Sequence, residues 1–137
     1  MVYTSRKSNS LPVPTEPGVL MLNVARTTAE LNYPIYIPWK NCRLVYAYAI
    51  TTVVVGTADM EIDIELDAAG GTEIMTITVA TASSAIGDIT EATFTDESAG
   101  QSLDRDDSAR DAVVLEVGLD ATGAGAATVV MYFEIDN

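Results

Sequence analysis

Carboxylates are the only side chains present in the number and pattern that chemistry would need. Asp59, Glu61, Asp63, Glu65 and Asp67 occupy every second position of one short stretch. On a β-strand such residues share a face and stand roughly 6.5–7 Å apart. A glycosidase acid pair can have that separation, but it needs one acid of raised pKa inside a cleft. An unbroken acidic strand face reads instead as solvated. A second group lies in the run Asp104-Arg105-Asp106-Asp107-Ser108-Ala109-Arg110-Asp111. Calcium takes oxygen ligands, so Asp104, Asp106 and Asp111, like the stripe, are calcium candidates. The loop lacks the turn glycine and the bidentate glutamate of an EF-hand, and Arg105 and Arg110 can satisfy its acids instead. No metal site is assigned.

Other chemistry is short of parts. The chain has no histidine and a single cysteine, Cys42. That removes the commonest general base, the Ser-His-Asp and Cys-His nucleophiles, and nearly all zinc ligand sets. No Gly-rich phosphate loop or dinucleotide fingerprint occurs. No catalytic residue and no cofactor are expected, and the chain reads as a non-enzyme. Cys42 opens an apolar run and reads as a small buried hydrophobe.

The elements that carry the acids read as strands. Met60, Ile62, Ile64 and Leu66 alternate with the acidic stripe, which is the period of a half-buried strand. Gly70 and Gly71 permit a tight reversal, and Thr72–Val79 returns as a β-branched partner. Val19–Thr28, Tyr33–Trp39, Cys42–Val55, Ile89–Thr95, Ala112–Asp120 and Ala126–Ile135 complete the set. Pro34 and Pro38 lack amide donors, so Tyr33–Trp39 belongs at a sheet edge or a crossing between sheets. In Cys42–Val55, strict alternation puts Cys42, Leu44, Tyr46, Tyr48 and Ile50 on one face and Val45, Ala47, Ala49 and Val53 on the other. Asp96–Asp111 is the longest loop. The fold class is all-β: an antiparallel β-sandwich, jelly-roll-like, of about eight strands separated by Gly, Ser and Asp turns. Periodicity alone leaves other Greek-key sandwiches open.

The chain of 137 residues suffices for one domain, assigned to residues 19–137. Residues 1–18 form an extended N-terminal arm containing Pro12, Pro14 and Pro17. The arm reads either as a disordered tail or as a segment that orders against a neighbouring subunit, for which Leu11, Val13 and the prolines are suited. Net charge is −13, unevenly placed: residues 1–50 sum to +3 and residues 51–137 to −16. So acidic a body repels phosphate backbones, which argues against nucleic acid as a partner. The N-terminus has no apolar signal core, and no apolar run approaches the about 20 residues of a membrane span. Export and membrane association are not expected.

Tyr33, Tyr36 and Trp39 form an aromatic cluster outside strong periodicity. Aromatics beside prolines read as an edge seal or a subunit contact, and less readily as a carbohydrate platform.

In style the chain resembles the head decoration, or cement, proteins of tailed bacteriophages: small, acidic, histidine-free, Ala/Thr/Val-rich all-β proteins with an initiator Met and a Pro-rich arm. Val45–Thr52, Met60–Val79 and Ala124–Glu134 carry the likeness, which spans roughly residues 19–137 without a diagnostic motif. It implies a virion structural protein, often trimeric, that is made in the host cytoplasm and clamps capsomers from outside the head. The implied partners are the major capsid protein and further copies of the chain. Arg6, Lys7, Leu11 and Val13 are then the capsid-contact candidates, and Tyr33, Tyr36 and Trp39 the subunit-interface candidates. Another virion part (tail, baseplate or head-fibre base) and a carbohydrate- or calcium-binding sandwich module remain the alternatives.

Overall fold

A computed structural model describes residues 18–27, 29, 31–36, 42–66, 72–81, 85–96, 103, 113–118 and 124–135. Strands β1 (Gly18–Ala25), β2 (Leu31–Tyr36), β3 (Cys42–Val53), β4 (Met60–Leu66), β5 (Thr72–Val79), β6 (Ile89–Glu91), β7 (Thr93–Phe94), β8 (Val113–Val117) and β9 (Ala126–Ile135) follow in chain order. They form a four-stranded sheet of order β1-β9-β3-β6 and a five-stranded sheet of order β2-β8-β4-β5-β7. All pairings are antiparallel.

The order is that of a chain folded back on itself and then wrapped. β1 pairs with β9, β2 with β8, β3 with β6 and β4 with β5, so early strands meet late ones and the central hairpin is β4–β5. Pairs alternate between the two sheets as the chain advances. This is the jelly-roll arrangement, the architecture expected from the sequence. The stretch Ile89–Thr95, one strand by periodicity, divides at Ala92. β6 joins the first sheet and β7 the second, so this short piece crosses the sandwich edge.

The core between the sheets is apolar and closed. Met60, Ile62 and Ile64 from β4, Ile77 from β5, and Met131 and Phe133 from β9 are wholly buried. Ala127, Val129, Met131 and Phe133 share the inner face of β9, as their spacing requires. Cys42 is a buried free thiol at the start of β3. Its backbone pairs with that of Leu103, a residue of the long loop whose side chain also enters the core.

β3 departs from strict alternation. Leu44 faces Phe133 and Tyr46 faces Tyr132, so Val45 is an extra residue in the ladder. A bulge of one residue exchanges the two faces of everything beyond it. Cys42 and Leu44 point inward, but past the bulge Ala47, Ala49 and Thr51 take the core, and Tyr46 turns out to solvent. The common face proposed for Cys42, Leu44, Tyr46, Tyr48 and Ile50 is therefore corrected.

Candidate functional site

The fold offers two outer faces with distinct chemistry. The first is the acidic face of the five-stranded sheet. β4 is central there, with β8 on one side and β5 on the other. Asp63 sits across from Glu116 on β8 and from Thr76 on β5, and Glu65 across from Glu73. Carboxylate oxygens of Asp63, Glu65 and Glu116 all lie within 4.8 Å of one another. The acids of one strand are thus joined by acids from its neighbours, which no single-strand pattern announces.

The face is not uniformly solvated. Glu65 is only 4% exposed, although Glu61 remains open. A register shift lies between Ile64 and Glu65, opposite the consecutive buried residues Ile74 and Met75 of β5. Thr76 donates its hydroxyl to Asp63 at 3.1 Å and lies 2.6 Å from a Glu73 oxygen. Burial pushes the Asp63 carboxyl up to about 6; Glu73 adds to the rise, Glu61 and Glu65 contribute less, and the Thr76 hydrogen bond opposes it. Below about pH 6 the cluster therefore relieves its crowding by holding a proton. An oxygen-only set of this kind suits a hard cation such as calcium by ligand type. Asp59, at the head of the stripe, behaves differently. The Thr81 amide and hydroxyl each bond it at 2.9 Å and hold its carboxyl below the usual range.

The raised Asp63 value has a sign. The folded state keeps a proton that the unfolded chain releases near pH 4, so stability falls as pH rises from about 4 to 6 and stays lower above. Asp63→Asn removes that loss while keeping an acceptor for Thr76. At pH 7 the variant should be more stable than the parent by about 1 kcal/mol, a figure reduced from the full shift because the group is half exposed. Urea unfolding at pH 4 and pH 7 checks this: the gap should close at the lower pH, and a gap that widens there would remove the explanation.

The second face belongs to the four-stranded sheet. Tyr46 and Tyr48 from β3 and Tyr132 from β9 form a surface cluster, with ring centroids 5.6, 5.6 and 6.3 Å apart and planes tilted by 33–47°. The Tyr46 hydroxyl donates to Glu91 of β6 at 2.7 Å, which raises its pKa. A hydrogen bond with Tyr132 raises that of Tyr48. Arg43 pairs with Glu134 on the same sheet. The β3 bulge is what brings Tyr46 and Tyr48 out, which strict alternation could not have found, whereas alternation along β9 already puts Tyr132 on the outer face.

Of the aromatic candidates, Tyr33 packs against the core, and its hydroxyl accepts from the Ala25 amide at 3.2 Å, joining β2 to β1. Its strand is the edge of the five-stranded sheet, as the prolines required. Tyr36 is described only through its backbone, which pairs with Val113. Trp39, Arg6, Lys7, Leu11, Val13, Asp104, Asp106 and Asp111 lie outside the described residues.

No family model and no curated protein matches the sequence. Solved structures do. A chain from the capsid of Ralstonia phage GP4 is 15% identical with a TM-score of 0.54, over 94% of this chain and 92% of that one. A chain from Bacillus endospore appendages, described as a novel family of disulfide-linked pili, is 17% identical with a TM-score of 0.48, over 98% and 100%. One from the capsid asymmetric unit of cyanophage Pam1 is 14% identical with a TM-score of 0.46, over 99% and 100%. At these identities the first likeness establishes a shared fold.

Proposed function

We propose that the protein is a non-enzymatic structural component of a phage virion, a decoration protein that binds the outside of the head and bridges capsomers. The observation that carries this reading is the jelly roll itself, matched along nearly its whole length by a chain from the capsid of Ralstonia phage GP4. The surface chemistry agrees. Its acids crowd one outer face, and its tyrosines form a surface cluster on the other of a kind suited to contact between proteins. The expected partners are the major capsid protein and further copies of the chain, in a homotrimer. The N-terminal arm, with Arg6 and Lys7, makes the attachment.

The test is addition of the purified protein to undecorated heads assembled from the major capsid protein of the same phage. Co-sedimentation should show saturable binding, and decorated heads should rupture at a higher temperature than bare ones. Absence of saturable binding would overturn the reading.

A further inference from the structure

The edge of a sheet exposes unpaired amides and carbonyls, and proteins protect such edges with short strands, prolines, bulges or charges. Of the four edges of the two described sheets, three carry these devices. β6 and β7 have three and two residues. β2 carries Pro34 and a register shift beside it. β1 has none of them. Its eight residues include no proline and no charged side chain, and its register with β9 runs unbroken from Gly18 to Ala25.

The hydrogen bonds at the end of β1 show which backbone groups are open. The Arg26 amide donates to the Gly125 carbonyl, one step beyond Ala25 and Ala126 in the same register. In an antiparallel ladder alternate residues turn both backbone groups to the paired strand. Leu20, Leu22 and Val24 therefore bond β9, while Val19, Met21, Asn23 and Ala25 turn theirs to the free edge. Ala25 bears this out, since its amide and carbonyl both engage the Tyr33 hydroxyl, at 3.2 and 3.4 Å. Val19, Met21 and Asn23 remain, and among the described residues none bonds their edge groups.

We propose that the β1 edge pairs antiparallel with the β1 edge of a second copy of this chain, about a two-fold axis at Met21. In that register the strand is its own complement. Val19 of each copy meets Asn23 of the other, and Met21 meets Met21. Each such pair exchanges two hydrogen bonds, about six in all. With Ala25 already capped by Tyr33, a two-fold axis elsewhere on the strand would leave at least one of the three open residues unmatched. Charge also selects a copy of this chain. Residues 51–137 sum to −16, and the acidic cluster crowds the outer face of the other sheet, so most approaches between copies meet repulsion. β1 has no ionisable group, and its Val19 and Met21 side chains are apolar and 42% and 65% exposed. Like bodies meet there with least repulsion, whereas a cationic partner would be drawn to the acidic face. Two-fold, self-matching contacts are also the commonest in soluble oligomers. A two-fold contact lies outside a three-fold ring, so it joins one proposed trimer to another, and it requires no binding to heads.

Met21→Cys and Val19→Cys, each in the full chain and exposed to oxidised glutathione, test the register. Across the proposed axis the Cα atoms at position 21 stand about 5.5 Å apart, within disulfide reach. Those at position 19 are separated by four residues of strand, roughly 13 Å. Met21→Cys should give a disulfide-linked dimer, mapped by mass spectrometry to position 21 of both chains, and Val19→Cys should not. Met21→Pro removes an amide that bonds nothing in β9. It should keep the circular dichroism and melting temperature, and should raise about tenfold the concentration at which the two-fold species forms in sedimentation velocity. Equal linking of the two cysteine variants, or no linking of Met21→Cys, would overturn the proposal. Linking that appears only after Met1–Pro17 is deleted would do the same, by giving the edge to the arm. So would unchanged association of folded Met21→Pro. If Met21→Pro does not fold, the two cysteine variants decide alone.

Discussion

Replacing Arg26 by Met should cost about 3–5 kcal/mol of folding stability. Arg26 follows β1 and is only 3% exposed. Its guanidinium forks between two chain segments distant in sequence. Nη1 donates to the Ala58 and Asp59 carbonyls at 2.8 and 2.9 Å, and Nε and Nη2 to the Ala124 carbonyl at 3.2 and 2.7 Å. The Arg26 amide adds a bond to the Gly125 carbonyl at 2.8 Å. One side chain thus ties the end of β1 to the approaches of β4 and β9, in different sheets. Met fills the volume of the stem but leaves those carbonyls without their charged donor. Arg26→Lys should recover little, because a single ammonium cannot reproduce the fork. Gly125 belongs to the same arrangement: its φ of +142° is one that L side chains rarely adopt, and a Cβ there would stand 3.2 Å from Met60 Sδ. Equilibrium urea unfolding at neutral pH measures the loss; a cost below about 1 kcal/mol, that of an average substitution, would show that the carbonyls find other donors.

This lock was invisible in the sequence, where Arg26 counted only toward the positive charge of the first half. What was legible came from period and punctuation. Met60, Ile62 and Ile64 are buried with acids between them, and Pro34 marks an edge strand, because alternation and a missing amide act locally. What was not legible depended on pairing. The bulge at Val45 exists only against Tyr132, and it decides that Tyr46 faces solvent. The burial of Glu65 arises from packing beside Glu73 and Val114 on the flanking strands. The joining of Asp63 with Glu116 required β8 to lie beside β4. The crossing of Ile89–Thr95 between sheets required both sheets to be known. Alternation says which residues share a face; only long-range closure says what that face meets.

The division of charge leads to the other large effect. Of the cations in residues 1–50, Arg26 is spent inside the fold and Arg43 pairs with Glu134. The body therefore offers less positive charge for attachment than a sum over the sequence suggests: of the five cations Arg6, Lys7 and Lys40 remain, and the arm holds two of these three. β1 needs only Gly18–Ala25 for its full ladder to β9. Deleting Met1–Pro17 should leave the circular dichroism and melting temperature nearly unchanged. It should weaken binding to undecorated heads by about a hundredfold or more, since several arms on one oligomer act together and each lost contact is multiplied. A shorter deletion separates the two parts of the arm. Removing Met1–Ser10 takes away Arg6 and Lys7 but keeps Leu11–Pro17. It should abolish most head binding while sparing association between copies, and the residual binding should have lost its salt dependence, because screening acts on the removed charges. Co-sedimentation with heads, beside sedimentation velocity of the protein alone, reads both effects. Undiminished decoration by the protein lacking Met1–Pro17 would refute attachment through the arm, and a collapsed fold would place those residues in the core.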